Sequence, residues 1–400
     1  MRRTLRRWAA FDLLPVFLPR AAPRSAKPSA PIIVAGYLGT ASGLGESARL
    51  CLKALRALGL EAYGWDLSGP RLRQPCNSRW QGESYRGTIP NGATLIIHVN
   101  PPVLPLALFT MGLSLPARCR VIGYWAWELP TVPASWRKSL RFVHEVWVPS
   151  RFTAAAIEAI ATVPVRVVPH PVALSDLAVA TPIQTGGPFR VLCVFNMASS
   201  FARKNPMAAL AAFVEAFGDD PDAELIFQVS HAEASATALA ELRQAARPNI
   251  RIETRMLDRS ELSLLIAGSD AVISLHRSEG FGLVLAEAML AEVPVIATAW
   301  SGNTDFIDED CAVPIPYRLI PAADAQGLYD APESHWAEPD TEAAARALRR
   351  LRRSPDEHRA LAVRGRERAV ERFGLANYEQ AVAPGLPHLS GAATRGTPTP

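Results

Sequence analysis

Short β-branched runs alternating with helical stretches, in two successive series, constrain this chain more than any other feature. The first series has strand-like runs at 32–35 (IIVA), 95–99, 120–124, 145–148 and 165–168, with a helical segment at 46–58. A Pro-, Thr- and Gly-rich break at 169–188 follows, and the alternation restarts. Strands are expected at 190–195 (RVLCVF), 225–229, 250–253, 271–275 and 294–297, with helices at 206–217, 234–246, 260–267 and 283–291. Such alternation specifies α/β architecture with parallel sheets. Two arrays predict two Rossmann-like domains, at 31–180 and 181–372. They are flanked by a basic, Pro-rich, disordered leader at 1–30 and a return segment and disordered tail at 373–400, with arginine-studded helices over 341–372. Parallel sheets bind ligands at the carboxyl ends of their strands, so two such domains are expected to face a central cleft.

Composition narrows the function classes. Apolar residues make up 49% and charged residues 20%, enough for sizeable cores. Five scattered cysteines without a C-x-x-C pair argue against a disulfide framework or structural zinc and fit a reducing, cytoplasmic compartment. The net charge of +4 is uneven: residues 1–27 carry seven cations against Asp12, +6 locally, which leaves −2 on the rest. A folded body without basic excess argues against nucleic acid as a partner. The first 20 residues combine arginines with Trp8, Phe11 and Leu14, a pattern suited to peripheral contact with anionic lipid at the inner membrane face; a frayed leader is the plainer alternative. No apolar run reaches the ~18–20 residues of a membrane span.

The chemistry concentrates in SLHRSEGFGLVLAEAM, residues 274–289. A strand ends, a loop carries Glu279, Gly280, Phe281 and Gly282, and a helix starts at Leu283. Glycines admit close backbone approach, and free N–H groups at a helix start can receive phosphate. Glu279 and Glu287, eight positions apart, lie at different depths of one expected pocket. Ionised carboxylates accept hydroxyl hydrogens, which suits a sugar-rich ligand. Spacing alone leaves open two unrelated solvated glutamates around a tight turn.

The E-x7-E pair with its GFG core, followed by VPVIATAWSGNTD at 293–305, resembles the retaining glycosyltransferases of the GT-B fold, family four. The resemblance runs from about residue 32 to residue 373 and is weaker in the first half. It implies a GT-B α/β fold and transfer of a hexose from a nucleotide-diphosphate sugar to a hydroxyl of a glycan or lipid-linked acceptor, as in polysaccharide biosynthesis. Glu279 would contact the donor sugar and Glu287 the nucleotide ribose. FNMASSFARKNP, residues 195–206, resembles the family's cationic loop, with Lys204 matching its lysine; Arg203 stands beside it rather than several residues upstream. Fixed cations there would stabilise the departing diphosphate. No metal or cofactor is implied beyond the nucleotide-sugar co-substrate, and GDP-mannose is named from family frequency alone.

Several residues complete the expected site. Gly43 and Gly45, in GYLGTASGLGESA at 36–48, would bring backbone amides to donor phosphate or acceptor. Gly43, Gly45 and Ala48 also fit G-x-G-x-x-G/A, with Asp66 as a ribose contact, but seven residues separate the expected strand from Gly43, against a dinucleotide site. His98 matches the place where many relatives keep a histidine near the reacting centre. Trp125, Trp127 and Glu128 crowd a strand end on the expected acceptor side, stacking on a ligand or filling core. His276 and Arg277 would shape the donor pocket, and Arg255 and Leu257 would flank the nucleobase. Two alternatives remain open: a nucleotide-sugar epimerase on a similar scaffold, and a catalytically silent sugar-nucleotide-binding protein.

Overall fold

The structure, a computed structural model, describes residues 18–22, 31–69, 72, 80, 82, 84–174, 177–178, 187–329 and 333–386. The membrane contact expected for the first 20 residues lies almost wholly outside the described residues, as does the tail at 387–400. Where the leader is described it is ordered: Leu18 is buried, and the Ala21 and Ala22 amides donate to the carbonyls of Arg141 and Pro116 at 2.8 and 3.1 Å. Contacts divide the chain into one compact unit of Met1–Trp127, Val132–Leu174 and Phe373–Pro400, and another of Glu128–Thr131 and Ser175–Arg372. The division falls at 174/175, where the sequence suggested 180/181.

The first unit holds strands β1 (Ile32–Gly36), β2 (Ala62–Asp66), β3 (Thr94–His98), β4 (Arg120–Tyr124), β5 (Glu145–Val148) and β6 (Val165–Val167) in one parallel sheet, ordered β2-β1-β3-β4-β5-β6. Every residue of β1, β3, β4 and β5 is buried, as in a parallel sheet covered on both faces. Helix α1 (Gly43–Ala57) follows β1; the Ser42 side chain caps it by accepting from Gly45 N at 3.2 Å. Its Leu52 and Leu55 pack with Ile32, Val34 and Ile96. The return segment forms a helix, Leu375–Val382, whose Tyr378 and Val382 join this core; Tyr378 Oη donates to Cys51 Sγ at 3.2 Å.

The second unit repeats the plan. Strands β7 (Phe189–Asn196), β8 (Ala223–Ser230), β9 (Ile250–Glu253), β10 (Ala271–Ser274), β11 (Val295–Thr298) and β12 (Val313–Ile315) form a parallel sheet ordered β12-β11-β10-β7-β8-β9. Its helices include α2 (Pro206–Phe217), α3 (Arg259–Ala267), α4 (Leu283–Leu290) and α5 (Thr341–Arg353). A hairpin of β13 (Tyr317–Pro321) and β14 (His335–Pro339) is appended. In each sheet the first strand lies between strands reached by opposite crossovers: β1 between β2 and β3, and β7 between β8 and β10. The carboxyl ends of these pairs are the topological switch points where α/β sheets bind ligands.

Four strands went unread in the sequence. β2 (AYGWD) is a half-buried edge strand interrupted by Gly64, so its alternation is short. Pro314 and Pro316 argue against a strand at β12, which tolerates Pro314 because it lies on the sheet edge. The β13–β14 hairpin exposes most of β13, so its residues lack the apolar run of a buried strand.

One polar cluster ties β4, β5 and β6 together. Glu145, 2% exposed, accepts from Arg120 Nη2 and Arg166 Nε, each at 2.7 Å, and from Trp147 Nε1 at 3.0 Å. Losing the carboxylate strands the buried Arg120 without its counterion. Glu145→Ala is therefore expected to lower unfolding stability by about 3–5 kcal/mol. Urea denaturation checks this, and an unchanged midpoint would refute the assigned role.

Candidate functional site

The second unit's switch point carries a built site. After β7, Asn196 accepts from Ala198 N at 2.8 Å, and the chain enters a single helical turn, Phe201–Lys204. The turn is bracketed by two non-glycine residues at positive φ, Ser200 (70°) and Asn205 (49°). Such backbone is costly and persists only where neighbours over-determine it. Here Ser200 Oγ accepts from Arg203 N at 3.2 Å, and Asn205 Nδ2 donates to Leu275 O at 3.1 Å. Pro206 then opens α2, where its missing N–H is harmless.

This geometry carries Arg203 and Lys204 to the loop after β10. Lys204 Nζ donates to Glu279 Oε1, and Arg203 Nη1 lies 3.2 Å from the same oxygen. The two cations differ in setting. Arg203 is almost wholly buried; it donates to Ser278 O at 2.7 Å and Ser199 O at 3.0 Å, and lies over the Tyr329 ring at 5.5 Å. Lys204 keeps 20% of its side chain exposed. Burial alone would raise the Glu279 pKa, but Lys204, Arg203 and His276 outweigh it and bring the carboxyl down to about 2.

The backbone of Glu279 is also clamped: its N–H donates to Ser301 Oγ and its carbonyl accepts from Gly302 N, both at 2.8 Å. A Cβ on Gly302 would come within 2.2 Å of Gly280 O, so only glycine permits this approach. Phe281 is buried against Phe306, with ring centroids 5.3 Å apart. Gly282, at φ 100°, takes the left-handed conformation that starts α4, and Leu283 is its half-buried first residue. Glu287, on the buried side of α4, meets Arg259 Nη2 of α3 at 3.1 Å.

His276 is fully buried, and neither ring nitrogen has a hydrogen bond of ordinary geometry. Burial, with the charges of Lys204 and Arg203, lowers its pKa to about 4 despite Glu279 and the neighbouring Asn303. Arg277 points toward the hairpin, with Nε on Glu338 Oε2 at 2.6 Å and Nη1 on Ala202 O at 2.7 Å. Arg255 is largely exposed and pairs with Glu261 at 2.7 Å, while Leu257 is half-buried. Glu128 belongs to this unit, and its carbonyl accepts from Ser278 Oγ. Arg259, Ser301, Gly302 and Tyr329 were not anticipated. Arg259 sits in a visible capping box (Asp258 with Glu261), but nothing in that signal links it to Glu287.

In the first unit, Gly36 and His98 are register partners at the carboxyl ends of β1 and β3. His98 is completely buried: its Nδ1 lies 2.8 Å from Ser47 Oγ, and its ring stacks on Tyr124 at 4.4 Å. Burial first, then His170, holds its pKa well below the ordinary value. Gly43 is exposed at the start of α1; a Cβ on Gly45 would meet Thr40 O at 2.5 Å, so that glycine serves helix–loop packing. Trp125 is 0% exposed and lies edge-on to Trp136, as does the nearly buried Trp127. Both rings are buried, the core-filling side of the two readings open for these positions. Asp66 accepts from Gly39 N at 3.3 Å and Ser68 N at 2.9 Å, tying loops at the sheet end.

Among the described residues no group of three or more His, Cys, Asp or Glu side chains is placed to hold a metal ion. The four described cysteines are buried, and Cys76 lies outside the described residues. No helix among the described residues is long and apolar enough to cross a membrane.

The site's pKa values set an acid limit. The unfolded chain binds a proton at His276 near pH 6.5, whereas the folded chain binds it only near 4, so stability falls as pH drops through that window. The shift corresponds to about 3 kcal/mol. Glu279, depressed from 4.5 to about 2, continues the loss below pH 4.5. His276→Asn should lessen the pH dependence of unfolding free energy between 6.5 and 4, with His98 and His170 supplying what remains; identical slopes for variant and wild type would contradict the burial of a neutral ring.

No curated protein sequence matches the chain. Among solved structures, Anabaena HepE in complex with UDP and glucose is similar at 14% identity and a TM-score of 0.62, the match covering 89% of this chain and 99% of that one. Sucrose-phosphate synthase from Thermosynechococcus elongatus is similar at 16% identity and TM-score 0.61, covering 91% and 100%. A mutant of S. aureus TarM, in complex with fondaparinux, alpha-GlcNAc-glycerol and UDP, shares 12% identity and TM-score 0.54, with 72% of this chain covered. The chain spans 54% of the length of TarM. At these identities the likeness establishes the fold, which is the GT-B glycosyltransferase type. A family model described as "Family 4 Glycosyltransferase in conflict systems" matches residues 150–382, more than half of the sequence, and with Glu279, Glu287 and Lys204 inside that span the chain belongs to this family of glycosyltransferases.

Proposed function

We propose that this protein transfers a hexose from a UDP-linked donor to a hydroxyl of a glycan or lipid-linked acceptor, with retention of configuration at the anomeric carbon. One observation carries the reading: Lys204 and Arg203 converge on a single carboxylate oxygen of Glu279 at the sheet's switch point. The family supports glycosyl transfer, and the relatives solved with UDP support uridine over the guanosine named from family frequency. The acceptor class rests on the family resemblance.

The chemistry follows from the charges. Glu279, kept ionised, accepts hydrogen bonds from sugar hydroxyls. Lys204, the more exposed cation, turns from Glu279 toward the donor diphosphate, while Arg203 stays on its carbonyls and holds Glu279 in place. Glu287, held by Arg259, receives the ribose hydroxyls. As the bond from the anomeric carbon to the phosphate oxygen breaks, negative charge grows on the diphosphate, and Lys204 and the amides at the start of α4 stabilise it. The acceptor oxygen bonds to the anomeric carbon on the face the phosphate leaves, and its proton passes to the departing phosphate oxygen.

Lys204→Ala should therefore lower kcat by about 10²–10³-fold while leaving the fold intact. Release of UDP from UDP-glucose across an acceptor panel measures it, and NMR of the donor incubated alone separates transfer from epimerisation. Full activity in purified Lys204→Ala would overturn the clamp. Glu279→Gln is the better probe of the sugar contact than Glu279→Ala. The alanine variant would remove every acceptor atom at this position and leave the buried Arg203 facing a cavity.

A further inference from the structure

The segment between the hairpin strands reaches back to the cationic turn. Asp324 organises a tight turn: Oδ1 accepts from Gln326 N at 3.2 Å, Oδ2 from Leu328 N at 3.0 Å, and the Asp324 carbonyl from Gly327 N at 2.9 Å. This turn presents the Gln326 amide to the loop after β7. Its Oε1 accepts from Phe201 N at 2.6 Å and its Nε2 donates to Met197 O at 3.1 Å. One side chain thus bonds the loop backbone on both sides of the strained Ser200, whose hydroxyl donates to Asp324 Oδ1 at 2.9 Å. Tyr329 continues the contact beneath Arg203.

We propose that Gln326, set by the Asp324 turn, is a positioning residue that holds the cationic turn in its diphosphate-binding geometry. The inference deepens the proposed function and rests on it. The physical argument is over-determination. Ser200 occupies backbone that a serine does not hold unaided, and the turn that aims Lys204 begins at the next residue. Bonds on either side of that point fix its direction, and groups held in place before the ligand arrives spare the ordering cost on binding. Gln326 and Asp324 lie outside the motif stretches at 195–206, 274–289 and 293–305, so the site's anion specificity is supported from outside the motif-bearing loops.

The test separates diphosphate from nucleoside contacts. Gln326→Met keeps the length of the side chain and removes both hydrogen bonds. UDP and UMP binding are measured by calorimetry on the full chain, wild type and variant, with Gln326→Ala as the second variant should the methionine form not fold. The expected result is about a tenfold weaker UDP affinity, as two lost hydrogen bonds imply, with UMP affinity within about twofold of wild type. A variant that binds UDP as tightly as wild type overturns the positioning role and leaves the donor reading standing. Equal losses for UDP and UMP overturn it as well, since they indicate general damage. A wild type that binds no UDP overturns the donor reading, and this inference with it.

Discussion

A single buried carboxylate organises the second unit. Glu279 holds Lys204 and Arg203 on one oxygen, while its own backbone is held by Ser301 and Gly302. The arrangement joins three segments far apart in sequence: the loop after β7, the loop after β10 and the loop after β11. Burial penalises the charge on Glu279, and the two cations more than repay that cost, so the carboxylate stays ionised. Burial works against the charge on Arg203, and the same pairing with Glu279 offsets that cost and keeps the guanidinium charged.

Arg203 and Lys204 are neighbours in sequence with different work. The guanidinium has a planar fork of donors, and here it is spent on two carbonyls, a carboxylate and an aromatic face, all inside the protein. The lysine is a point charge on a flexible stem with part of its surface open, which suits a group that exchanges one anion for another. The adjacency that departs from the family pattern thus gives one buried strut and one partly exposed contact. Strain at Ser200 and Asn205 accompanies it, and the hairpin segment restrains that strain.

The two units use their switch points differently. In the second, charged side chains gather at the end of β10. In the first, His98 is stacked on Tyr124 and bonded to Ser47, and Tyr124 Oη lies 3.1 Å from His170 Nδ1. That group is neutral and wholly buried, consistent with the low pKa values of both histidines, His170 falling to about 3.

Much of the fold was legible in the residues alone. Buried parallel strands read as apolar runs because both faces are covered, which is why β4 and β5 match the expected spans of 120–124 and 145–148. The glycine-bearing loop around Glu279 was legible for a similar reason: local backbone needs restrict which residues can stand there. What the sequence could not carry were side-chain destinations. The burial of Trp125 and Trp127 is visible only in the fold, and Arg255 and Arg259 are alike in sequence, yet one pairs with Glu261 in solvent and the other with Glu287. The pairing of Glu279 with Arg203 and Lys204, and of Gln326 with the turn before them, spans separations that no local pattern encodes. Periodicity and turn chemistry are properties of neighbours along the chain; charge pairing and burial are properties of neighbours in space, and only the folded sheet brings those together.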